Sequence, residues 1–175
     1  KIYGPKGIGG LFLSEIALRS GIQPQITGGG QQKELRSGTL NTPGIVGMAK
    51  AFEFLNDEMH SDIERMKELR NKFETNLQKL SPVISINGEK APRIPNTSNV
   101  GFRGLTSEKI ILQCDNLAIS SGSACDSMTI QPSHVLKAMN LDESILDSSV
   151  RFSIGRLTTE EEIEIAIESL RRLLE

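Results

Sequence analysis

The sequence has no tryptophan, one tyrosine and six phenylalanines among 175 residues, so any core must be built mainly from aliphatic side chains. It has two cysteines, Cys114 and Cys125, too few for a disulfide framework. A reducing, cytoplasmic setting is the corresponding expectation. The same two cysteines and two histidines, His60 and His134, lack the paired spacing of a zinc site, so no metal is expected. No apolar run approaches the length of a membrane span, and no signal peptide is visible. A formal net charge of −2 gives no electrostatic case for nucleic acid or an anionic membrane as partner. Internal repeats and low-complexity tracts are also missing. What remains, 37% hydrophobic and 24% charged, suits a folded chain of one or two small domains. The opening "KIYGPKGIGG" has no initiator Met and reads as a piece of a longer protein.

Periodicity and punctuation give a coarse order of elements. "YGPKGIGGLFLSE" reads as a Gly/Pro loop turning into a short strand over Gly10 to Leu13. "NTPGIVGMAKAFEFLNDEM" reads as a helix capped by Thr42 with Pro43 in its first turn. A second amphipathic helix is expected over about 62–80, ended by Pro82. Strands follow at "VISI" and "TSNVGF", with Asn87-Gly88 as a turn between them. "TSEKIILQC" is helical, "LAIS" a short strand, "QPSHVLKAMN" helical and "SSVRFSI" a strand. The last helix, "TTEEEIEIAIESLRRLLE", begins with Thr158 and Glu161 as a capping box. This alternation predicts an α/β chain. The expected division is residues 1–60, the end of one domain, and 61–175, a smaller domain carrying the cysteine loop.

Three features carry chemistry. Cys114 follows Ile110 and Ile111 on an apolar face and reads as a small buried hydrophobe. Cys125 instead lies in "SSGSACDS", a Ser/Gly/Ala segment that offers exposure but no evident activator. Its spacing alone leaves catalytic and structural readings open. The glycines of "TGGG" followed by "RSGT" suit either a phosphate cradle or a tight chain reversal. In "VRFSI", Val150, Phe152 and Ile154 alternate onto one face, which turns Arg151 and Ser153 to the other. There Arg151 is either a solvated surface charge or a planar fork for a carboxylate. Arg156 is a weaker candidate of the same kind.

Four segments in order, "KIYGPKGIGGLFL", "GGGQQKELRSGTLNTPGIVGMAKA", "ISSGSACDS…PSHVLKAMNL" and "SSVRFSIGRLTTEEEI", resemble the C-terminal portion of cysteine desulfurases of the NifS/IscS type, in the class-V aminotransferase family. The resemblance implies a pyridoxal-phosphate enzyme of fold type I: a remnant of the large domain followed by the smaller α/β domain. It implies a homodimer that converts L-cysteine to L-alanine and leaves a persulfide on Cys125. That sulfur serves iron–sulfur cluster assembly or thiolation through a scaffold or other acceptor protein. By the same resemblance Lys1 forms the Schiff base with the cofactor, Thr39 reaches the cofactor phosphate of the partner subunit, and Arg151 holds the substrate carboxylate. The sequence departs from the family pattern at three places. Gln32 stands where Glu is usual after "GGGQ", Glu34 where Gly is usual before "LRSGT", and Asp126 where a small hydroxyl residue is common.

The family's N-terminal half, with the ring partners of the cofactor, is not in this sequence. The 175-residue chain alone is therefore expected to bind cofactor poorly and to show little or no desulfurase activity. The competing readings are a non-catalytic module that binds an iron–sulfur scaffold protein, and a phosphate-binding domain built on "TGGG…RSGT". The second explains neither Cys125 nor the Arg151 strand.

Overall fold

The computed structural model describes residues 2–121 and 133–175. Contacts group the chain into a unit ending at Met59 and a unit beginning at His60.

In the first unit the expected strand over Gly10 to Leu13 does not form. No neighbouring strand among the described residues offers it a ladder, and Leu11 and Phe12 are 79% and 91% exposed. A short helix α1, Glu15–Arg19, follows, with the Ser14 side chain accepting from the Ala17 N–H. The glycine segment is a chain reversal closed by Ser37. The Ser37 N–H donates to the Ile26 carbonyl and its hydroxyl donates to the Gly29 carbonyl at 2.5 Å. Gly28, with φ of 152°, lies so close that a Cβ there would come within 3.3 Å of the Ser37 Cβ.

Between them a 3-10 turn, Gln31–Glu34, holds Gln32, Lys33 and Glu34 in the left-handed region, at φ of 51°, 58° and 64°. A side chain there costs about 1–2 kcal/mol per residue. Glu34 is the position where the resembled family usually has glycine. We expect Glu34→Gly to raise stability by about 0.5–1 kcal/mol, once the extra unfolded-state entropy of glycine is subtracted. A β-branched residue there should lower it. Denaturant melts of the two variants decide this.

Helix α2 runs unbroken from Thr42 to Leu80, where two helices were expected. The His60-Ser61 junction contains neither Gly nor Pro, so nothing interrupts the backbone ladder. Its cap is Asn41 and not Thr42: the Asn41 side chain accepts from the Gly44 N–H at 3.1 Å, which puts Thr42 and Pro43 inside the first turn.

The second unit holds the hydrophobic core. Strands β1 (Ile84–Ile86), β2 (Thr97–Phe102) and β3 (Ser149–Ser153) form an antiparallel sheet in the order β1-β2-β3. Ile84, Ile86, Val100, Phe102, Val150 and Phe152 share its buried face. Against them pack Met66, Leu69, Phe73 and Leu77 of α2, Ile110 of helix α3 (Ser107–Gln113), and Ile163, Ala166, Ile167 and Leu170 of the last helix. That core is mostly aliphatic, as the composition requires. At its centre Phe152 lies 4.9 Å from Phe73 and 6.4 Å from Phe102, ring centre to ring centre. Such pairs add about 0.5–1.5 kcal/mol beyond area burial.

Two short helices, α4 (His134–Ala138) and α5 (Glu143–Leu146), precede β3. The sequence reading did not separate α5. The final helix, α6 (Glu160–Leu174), has its capping box at Thr159 and Glu162, one residue later than expected. Thr158 is committed elsewhere: its hydroxyl accepts from the Gly155 N–H at 2.9 Å.

A buried ion pair ties the β1–β2 loop to α2. The Arg93 guanidinium donates to both carboxylate oxygens of Glu74, at 2.7 and 2.9 Å. Beside it the buried Arg70 donates to the Ile94 carbonyl at 2.9 Å.

Candidate functional site

The site is built on the face of the sheet turned away from the core. Alternation places Thr97 and Asn99 of β2, and Arg151 and Ser153 of β3, on that face. Register then aligns a row of polar side chains across the strands. Asn99 and Arg151 are directly opposite. The Asn87 N–H donates to the Asn99 carbonyl at 2.8 Å, which extends the β1–β2 register by one residue. On the outer edge of β3, Arg151 and Ser120 exchange both backbone bonds, at 2.6 and 3.3 Å. The row therefore reads Asn87, Asn99, Arg151, Ser120.

These pairs differ in closeness. Asn99 directs its carbonyl toward β1, and Arg151 directs both backbone groups toward Ser120. Asn99 and Arg151 thus form a non-hydrogen-bonded pair, the kind whose side chains approach most closely. Helix α5 covers the other end of this face: the Ser149 hydroxyl donates to the Ile145 carbonyl at 2.6 Å, and a Cβ on Gly101 would meet the Ile145 side chain at 3.0 Å.

The row has a fixed hydrogen-bond polarity. The Ile145 carbonyl can only accept, so the single Ser149 proton is used on it. Ser149 must then accept from Asn87, at 2.9 Å, through the Asn87 amide nitrogen. The same nitrogen donates to Asn99 at 2.6 Å, which must present its carbonyl oxygen. The Asn99 amide nitrogen, with two protons, is left pointing away from Asn87. Asn87 and Ser149 are buried, so this order is shielded from water.

The expected site residues fall in different places. Arg151 is partly buried on the polar face, as its alternation with Val150 and Phe152 required. Cys125 and Lys1 lie outside the described residues. Thr39 belongs to the first unit and is exposed. It follows Gly38, whose φ is 105° and whose N–H is held by the Gln31 side chain at 3.0 Å. Among the described residues the Thr39 hydroxyl makes no hydrogen bond.

Cys114 is 1% exposed, and burial, aided by Asp115, pushes its thiol pKa up. It is a core residue, as expected. Arg156 faces Asp62 at 3.4 Å, and Arg65 donates to the Thr158 and Arg156 carbonyls, so Arg156 serves the packing of α2 against the segment before α6. No group of His, Cys, Asp and Glu able to hold a metal occurs among the described residues. None of the described helices is long and apolar enough to cross a membrane.

Asn87, Asn99 and Ser149 were not singled out by the sequence. Their polar side chains at alternate strand positions were the available sign, but cross-strand register is needed to line them up.

The family model described as aminotransferase class-V matches residues 1–165. The chain belongs to that family. Among curated relatives, it is 45% identical over 167 residues to the cysteine desulfurase IscS of Rickettsia akari (strain Hartford), covering 95% of this chain and 40% of that one. It is 43% identical over 172 residues to the IscS of Klebsiella pneumoniae, covering 98% of this chain and 42% of the relative. The NifS-like protein from Rickettsia africae ESF-5 superposes with a TM-score of 0.77 at 31% identity, over 88% of this chain and 40% of that one. The chain thus spans about 40% of the length of the curated relatives it matches. Its architecture is part of a fold-type-I, pyridoxal-phosphate transferase fold.

Proposed function

We propose that this chain supplies the substrate arginine and the sulfur-accepting cysteine of a cysteine desulfurase. The enzyme takes sulfur from L-cysteine, leaves L-alanine, and delivers the sulfur to an iron–sulfur scaffold or another acceptor protein. The observation that carries the reading is the Ser120–Arg151 backbone pair. It pairs Ser120, five residues before Cys125 in the sequence, with Arg151, which supports reading the two roles as parts of one site.

The roles follow from the chemistry of each group. Arg151 presents a planar, always-charged fork to the substrate carboxylate and so orients the rest of the molecule. The Cys125 thiolate attacks the substrate sulfur. An S–S bond forms, the substrate C–S bond breaks, and its electron pair stays on the substrate carbon, which is protonated to give L-alanine. Thr39 would hold the phosphate of pyridoxal phosphate, and Lys1 would hold the cofactor covalently through its ε-amine. When bound, pyridoxal phosphate supplies the electron sink for negative charge at the substrate's α-carbon.

The unit ending at Met59 is read as the end of the large cofactor domain, and the unit from His60 as the small domain. The enzyme is read as a homodimer.

The test is Arg151→Gln in the intact, cofactor-loaded enzyme. We expect kcat/KM for L-cysteine to fall by about a hundredfold, the worth of a charge-assisted pair to a carboxylate. Activity toward 2-aminoethanethiol, which lacks the carboxylate, should change little. Equal losses on both compounds would remove Arg151 from the proposed role.

A further inference from the structure

We propose that Asn99 is a second donor to the substrate carboxylate, held in donor orientation by Asn87 and Ser149. The proposal rests on the reading of Arg151 as the carboxylate-binding arginine and adds to it a residue, a direction and a cause.

The polarity of the row supplies the cause. The order Ile145 carbonyl, Ser149 hydroxyl, Asn87 amide, Asn99 carbonyl oxygen admits one arrangement of protons. It starts at an acceptor that cannot change and ends at an Asn99 amide nitrogen with two protons to give. Directly opposite, in the closer type of cross-strand pair, is Arg151. A guanidinium also only donates. The Asn99 amide nitrogen and the Arg151 guanidinium therefore cannot satisfy one another, and both take the same kind of partner: an acceptor, best an anionic one, lying over the row. Two planar donors side by side match the two oxygens of a carboxylate. A lone surface arginine would need no such neighbour, and an asparagine free to rotate would offer its oxygen as readily as its nitrogen. Burial of Asn87 and Ser149 removes that freedom.

The arrangement also predicts selectivity. An aspartate at position 99 keeps the oxygen that Asn87 requires but replaces the two protons with a charge of the substrate's own sign. Alanine removes both functions. Aspartate should therefore harm carboxylate binding more than alanine does, although it disturbs the sheet less.

The experiment measures equilibrium binding to the intact, cofactor-loaded enzyme by calorimetry, with two probes: L-alanine, and ethylamine, which is the same amine without the carboxylate. We expect Asn99→Ala to weaken L-alanine about tenfold and Asn99→Asp about a hundredfold, with ethylamine unmoved. Melting midpoints establish that Asn99→Asp is folded, since it retains the bond to Asn87. Equal changes for both probes, or an aspartate variant that binds L-alanine like the wild type, would overturn the role of Asn99.

Arg151→Gln is run in parallel. If it erases the preference for L-alanine while the Asn99 variants keep it, Asn99 alone is misassigned. If Arg151→Gln leaves the preference intact, the carboxylate site is elsewhere and both readings fall together.

Discussion

Replacing Cys125 with alanine is expected to reduce sulfur acceptance from L-cysteine to background. The expectation is this severe because the chain has no substitute. Its other thiol, Cys114, is 1% exposed on the apolar side of α3 and is pushed away from its reactive thiolate form by burial. A serine at position 125 has no sulfur chemistry to offer and should fare no better. Labelled sulfur from L-cysteine should appear as a one-sulfur mass gain on the peptide containing Cys125 in the wild type and on no peptide in the variant. The cofactor absorbance of the loaded enzyme should be the same in both, since Cys125 is not assigned to holding it. Sulfur retained on the alanine variant would mean that another atom accepts it.

Breaking the Glu74–Arg93 pair is expected to have the largest effect on stability. Their side chains are 8% and 17% exposed, and Arg93 is bound to both carboxylate oxygens. Arg93→Ala strands a charge in the interior, which costs about 3–5 kcal/mol. Replacing both residues with apolar side chains of similar volume should cost far less, because no charge is then left buried.

The pair also sets a pH dependence. Burial pushes the Glu74 carboxyl up, but the Arg93 hydrogen bonds and charge pull it down further, so the net value lies below its ordinary 4.5. A carboxyl lowered by folding stabilises fully above the ordinary carboxylate range, and that share is lost as pH falls through the folded value. Denaturant melts of wild type and Glu74→Gln should therefore converge as the solution is acidified. Curves that stay parallel would show that the pair contributes nothing through protonation.

Much of this was legible in the residues themselves. "VRFSI" announced its two faces, because a strand with Phe152 and Val150 in a core has only one place to put Arg151. Thr106 before "SEKIILQ" is the observed cap of α3, its side chain accepting from the Lys109 N–H. Cys114 was readable as core from Ile110 and Ile111. What failed were boundaries that competing side chains decide. Asn41 outcompeted Thr42 as a cap, and Thr159 outcompeted Thr158, in each case by one residue. The strand assigned to Gly10–Leu13 had the right composition but no partner strand among the described residues. Asn99 was invisible for a different reason: its meaning depends on Asn87 and Ser149, which are distant in sequence and adjacent only through register.

The Ser120–Arg151 pair has a consequence for how such proteins change over time. Both backbone bonds fix the two ends of everything that lies between residues 120 and 151. A single-residue slip in β3 would send Arg151 into the core and break its pairing with Ser120. Over time β3 can therefore exchange side chains on its outward face, but it cannot gain or lose a residue without turning Arg151 from the polar face to the core.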